Sequence, residues 1–180
     1  MAKDDLLIIP QKEIDAIIEQ PKILNMQFAK WIPKQDNQPA PQWMELKSVF
    51  LDNEDIPIPY LKLHIQYRPP RREFLLPSIN ILALYKGRRI LAVDQGQGIG
   101  HSNAYTDVHP IPPSRVDGAH YHLLHEKHNQ ETGYPLEIPF DNQSDISYFL
   151  HIFTSLFNVK IIGELPHPLQ QDASQMELSL

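Results

Sequence analysis

Cysteine is absent from this chain of 180 residues, which excludes disulfides and thiolate metal sites and favours a cytoplasmic protein. Glycine is scarce at seven residues and has no period, and no heptad is sustained, so collagen-like and coiled-coil architectures are excluded. Long apolar runs are missing too. The strongest, Leu6 to Ile9, falls far short of the roughly 20 residues that span a bilayer. No cationic start followed by an apolar stretch and a cleavage site is present, so neither a secretory signal nor a membrane partner is expected. Basic residues number 16 against 22 acidic ones; the net charge of −6 argues against a general nucleic-acid coat.

What the chain has in excess is proline and histidine. The 17 prolines, against a usual share of about 5%, predict long irregular connections between short elements. Charge is unevenly spread. Residues 1–59 carry 6 basic and 10 acidic side chains, 60–128 carry 9 and 5, and 129–180 carry 1 and 7. The basic centre can be an anion-binding surface or simply a set of solvated strand faces.

Hydrophobic periodicity predicts an α+β domain over 1–163: an antiparallel β-sheet with an N-terminal helix and one amphipathic helix near the C-terminus. Pro10 opens the first helix, with Ile14, Ile17 and Ile18 on one face, and Pro21 ends it. A loop is expected from Ile32 to Gln42 and a strand from Glu45 to Leu51. Leu61, Leu63, Ile65 and Tyr67 alternate with polar residues, as in a half-buried strand. Ser78–Tyr85 and Arg89–Gln95 form a hairpin around Gly87, apolar enough to be covered on both faces. A proline-rich irregular segment follows from His101 to Val116, then a strand over Gly118–Glu126, a turn over His128–Gly133 and an edge strand near Pro135–Phe140. Ile146, Phe149, Leu150, Phe153 and Phe157 share a helix face, with Ser144 as the expected N-cap. Residues 164–180 read as a flexible acidic tail.

Six of the nine histidines fall between His101 and His128. On a strand, His120 and His122 point to one face while Tyr121 and Leu123 point to the other. Such a pair supplies general acid and base groups, so His101, His120 and His122 are candidate catalytic residues for metal-independent phosphodiester cleavage with no cofactor. Arg68, Arg115 and Lys127, with Arg88 and Arg89 of the hairpin, are candidate phosphate contacts. A metal held by histidines, completed by Asp117 or Glu126, is a second possibility, although the spacing matches no standard signature. Tyr60, Tyr67 and Tyr85 suit either base stacking or sheet packing. The Gly96, Gly98 and Gly100 segment lacks dinucleotide-binding spacing and reads as a turn that presents His101.

The order of features from Tyr67 to Val159 resembles the TumE-type toxins of bacterial toxin–antitoxin systems, and more closely a neighbouring family of uncharacterised bacterial and prophage proteins. The resemblance rests on Tyr67-Arg-Pro, Leu91-Ala-Val-Asp94, Gly98-Ile-Gly-His101-Ser-Asn103, Gly118-Ala-His120-Tyr-His122, Tyr134-Pro-Leu and the helix from Asp145. It implies a small α+β fold and a site shared by His101, His120 and His122. The expected function is that of a toxin-like or mobile-element protein, with a histidine-dependent ribonuclease as one form and RNA as its partner. The alternatives are a non-catalytic factor that binds a protein partner, such as an antitoxin or a defence component, and a histidine-based metal protein.

Overall fold

The computed structural model describes residues 7–35, 40–139, 141 and 145–169. Helix α1 (Gln11–Glu19) leads into β1 (Lys22–Asn25), the two-residue β2 (Ile32–Pro33), β3 (Met44–Leu51), β4 (Pro57–Arg68), β5 (Ser78–Tyr85) and β6 (Arg88–Gln95). Next come β7 (Gly100–Ser102), β8 (Arg115–Asp117), β9 (His120–His125), a 3-10 turn, β10 (Gln130–Pro135), α2 (Ile146–Leu156) and β11 (Val159–Ile162). Nine strands form one sheet in the order β10-β9-β6-β5-β4-β3-β1-β11, with β2 beside β3; β7 and β8 form a separate ribbon. All pairings are antiparallel except β1 with β11. The α+β architecture read from periodicity is the one observed.

Alternation along each strand separates two faces. One row of partners, Leu46, Ile65, Ile81, Val93 and Tyr121, is apolar and continues through Leu63, Ala83, Leu91 and Leu123. Both helices cover this side. Ile14 of α1 and Phe149, Leu150 and Phe153 of α2 are buried, and Phe50 meets Phe153 and Phe157 at ring-centre distances of 6.5 and 5.3 Å. Each such side chain taken out of water contributes about 1.5–3 kcal/mol. The neighbouring row, Glu45, Gln66, Asn80, Asp94 and His120, is polar and faces the other way.

Local chemistry sets the ends of the elements. Pro10 caps α1, and Pro21 follows its last turn. Lys22 is 1% exposed; its ammonium donates to the carbonyls of Ile18 (3.0 Å) and Gln20 (2.5 Å) at the end of α1, over the Phe157 ring. Lys86 and Gly87, both at positive φ, form the two-residue turn of the β5–β6 hairpin. Asp145 is the N-cap of α2, accepting from the Ser147 amide at 2.8 Å; the expected cap, Ser144, lies outside the described residues.

Several expectations are corrected. Strand β5 is buried on alternate residues only, because Asn80, Leu82 and Leu84 face the less covered side; β6 is the strand buried on both faces from Ile90 on. The expected turn at His128–Gly133 is largely strand: β10 pairs with β9 from Gln130, and 136–139 are irregular, Phe140 of the expected edge strand lying outside the described residues. The two-proline segment Asn53–Pro59 reads as a turn, yet β4 starts at Pro57 within it, and β1 and β11 were not expected at all. Ile32 and Pro33 pair with β3 inside an expected loop. Near the C-terminus, Leu165 packs on the core, and the Trp31 indole N–H donates to the Pro166 carbonyl at 2.7 Å. The rest of the expected tail, 170–180, lies outside the described residues. Among the described residues no helix is long and apolar enough to cross a membrane.

Candidate metal centre

The site is built where the polar face of the sheet meets the β7–β8 ribbon. In the sheet, β9 lies between β6 and β10, which places His120 opposite Asp94 and Pro135, and His122 opposite Ala92 and Gly133. A period of two puts both imidazoles on the polar face. His101 arrives from β7, in the separate ribbon, where it pairs with Val116. Asn103 fixes the ribbon to the sheet: its carbonyl oxygen accepts from the Gly133 amide at 2.7 Å and its Nδ2 donates to the Gly133 carbonyl at 2.9 Å. Gly133 also makes the room. A Cβ there would come within 2.9 Å of the His101 ring.

The three rings converge. Ring centres lie 4.6 Å apart for His101 and His122, 4.7 Å for His120 and His122, and 6.0 Å for His101 and His120. One nitrogen from each falls within a set whose members are all within 4.8 Å of one another. His120 and His122 are each 2% exposed, whereas His101 is half-buried on the outer side.

Outer partners orient the two buried rings. His120 Nδ1 lies 2.7 Å from the Gly118 carbonyl, which can only accept, so Nδ1 carries the proton and Nε2 the lone pair of the neutral ring. His122 Nε2 lies 3.1 Å from Asp94 Oδ2. Burial alone would push the Asp94 carboxyl up. The His122 contact, the Asn80 amide at 2.9 Å and the Arg89 charge outweigh it and hold the group below its ordinary range. An ionised Asp94 accepts from His122 Nε2–H, so the ring nitrogen left over is Nδ1. That Nδ1 is buried and has no hydrogen-bond partner. Backbone carbonyl and carboxylate behind the rings are the arrangement that orients metal-ligating histidines.

Burial pushes the pKa of both His101 and His120 down. Neighbouring imidazoles reinforce this, and at His120 the Gly118 hydrogen bond opposes it. Neutral rings are metal-ligand forms.

Comparison with protein-family models, with curated proteins and with solved structures finds no match.

The other candidates are engaged elsewhere. Arg115 pairs with Asp117 at 2.8 Å, and Lys127 with Asp107 at 2.6 Å. Arg68 donates to the Pro41 carbonyl at 3.0 Å from β4, three strands from β9. Asp117, bound to Arg115, and Glu126, which accepts from the Gln11 amide, are not in the cluster. The cation beside the site is Arg89, which donates to Glu131 and lies 3.7 Å from Asp94. Glu131 Oε2 stands 3.9 Å from His122 Nδ1. Glu131 lies in a segment whose sequence reads as a turn, and only the pairing of β10 with β9 puts it on the histidine face. Tyr67 and Tyr85 are buried in the core, and Tyr60 is exposed.

Proposed function

We propose that the protein is a metal-dependent enzyme in which His101, His120 and His122 hold one divalent transition-metal ion. The observation that carries this reading is a buried three-histidine cluster in which Nδ1 of His122 has no partner while Nε2 is held by an ionised carboxylate. A buried polar atom without a partner is costly, and a bound cation satisfies it. Three imidazoles leave at least one coordination position for water or substrate, the arrangement of catalytic rather than structural centres. An ion so held acidifies bound water and stabilises developing negative charge, which suits hydrolysis of an ester or phosphodiester. The resemblance to the TumE-type toxins makes RNA the first substrate to test.

The experiment is elemental analysis of purified protein beside RNA cleavage with and without a chelator, for wild type and the His120→Ala/His122→Ala variant. Stoichiometric metal and chelator-sensitive cleavage, both lost in the variant, are the expected result. Cleavage that survives full metal removal returns the histidines to metal-free acid–base chemistry. Neither metal nor cleavage in wild type overturns the enzymatic reading in favour of a protein-binding module.

A further inference from the structure

Three imidazoles bring no negative charge, and a dication placed among them in a largely buried site needs compensation. Two carboxylates stand beside His122. Asp94 contacts Nε2 at 3.1 Å, and Glu131 stands on the opposite side of the ring, 3.9 Å from Nδ1. Arg89 spans them, bonded to Glu131 and 3.7 Å from Asp94, so the three groups together carry one net negative charge. Asp94 is committed to the far side of His122. Glu131 faces the nitrogen that has no partner.

We propose that Glu131 is the fourth protein ligand of the metal, released from Arg89 when the ion enters. This rests on the metal reading above. Register supports it: Glu131 and Gly133 are two apart on β10, so both lie on the face of His122, and Gly133 is directly opposite it. The 3.9 Å separation exceeds the roughly 3.3 Å between donor atoms sharing one tetrahedral ion with bonds of about 2.0–2.1 Å, and Glu131 lies outside the three-histidine set, so it must move inward to ligate. The side chain is 22% exposed, so it is not locked in by packing on every side. Arg89 acts as the placeholder cation, neutralising Glu131 while the ion is absent. A three-histidine, one-carboxylate set closes a four-coordinate ion but leaves open positions on a five- or six-coordinate one. The site is therefore matched to ions such as Fe²⁺, Mn²⁺ or Co²⁺ when it performs chemistry.

Cobalt is the probe, because its visible spectrum reports both occupancy and coordination. Metal-stripped wild type, Glu131→Gln, Arg89→Met and His122→Ala are titrated with Co²⁺ against a competing chelator, with thermal unfolding to establish that each is folded. Glu131→Gln is expected to bind ten- to a hundredfold more weakly with a changed spectrum, and Arg89→Met at least as tightly as wild type. Equal affinity and an unchanged spectrum for Glu131→Gln, with His122→Ala unable to bind, overturns the ligand role and leaves the centre intact. Equal weakening by Arg89→Met and Glu131→Gln also overturns it, since the ion pair would then matter only as structure. A wild type that takes up no Co²⁺ defeats the metal reading itself.

Discussion

His122 and Asp94 lie on adjacent strands, diagonal rather than opposite, and their side chains meet at 3.1 Å across the sheet. The carboxylate accepts a hydrogen bond from Nε2–H and so fixes the orientation of the ring beside His101 and His120. Asp94 is thus a positioning residue with an effect on every ligand geometry downstream of it.

Asp94→Asn should weaken metal binding by about ten- to a hundredfold, the usual consequence of losing an outer carboxylate behind a ligating histidine. Chelator competition measures it. Affinity within twofold of wild type would show that the ring is held by its packing alone.

Gly133→Ala tests how closely His101 must approach the sheet. The backbone at Gly133 is ordinary strand and tolerates alanine, so the nearest obstacle is the His101 side chain, whose Cδ2, Cγ and Cβ lie 2.9, 3.2 and 3.3 Å from the new Cβ. The variant should fold, displace His101 and bind metal more weakly, on the order of tenfold. A crystal structure with His101 in place and undiminished affinity would refute this.

Lys22 predicts a pH dependence of stability. Burial lowers its pKa from 10.5 to about 8. Between these values the unfolded chain binds more protons than the folded one, so this group makes stability rise as pH climbs from about 8 toward 10.5. Below pH 8 the lysine is protonated in both states and contributes no slope. Urea unfolding of wild type and Lys22→Met at pH 7, 8, 9 and 10 isolates the effect, since the rise should be missing from the variant. Parallel curves would mean that the carbonyls of Ile18 and Gln20 hold the charged form fully.

Strands β4, β5, β6 and β9 and both helices were legible because their burial follows local periods of two and 3.6. Strand β10 was not: Gln130, Glu131, Thr132 and Gly133 look like a turn, and they form a strand because β9 offers an unpaired edge. The same holds for β1, only four residues long, whose parallel partner β11 lies more than 130 residues away. Short polar or short apolar segments carry too little local preference to decide their own state. His101, His120 and His122 could be named as a group from composition and the H-x-H spacing, but Asp94, Arg89 and Glu131 gained their relation to the site only through strand order.

By itself, the sequence determined the absence of thiol chemistry, the two faces of the central strands and the pairing of His120 with His122 on one of them. These follow from residue identity and from repeat periods within single elements. Only the tertiary structure decided that β6 and β10 flank β9, that the ribbon lays His101 over Gly133, and that Nδ1 of His122 is sealed without a partner. Such contacts join segments far apart in the chain, and the energy that selects them comes from burial of the opposite, apolar face rather than from the site residues.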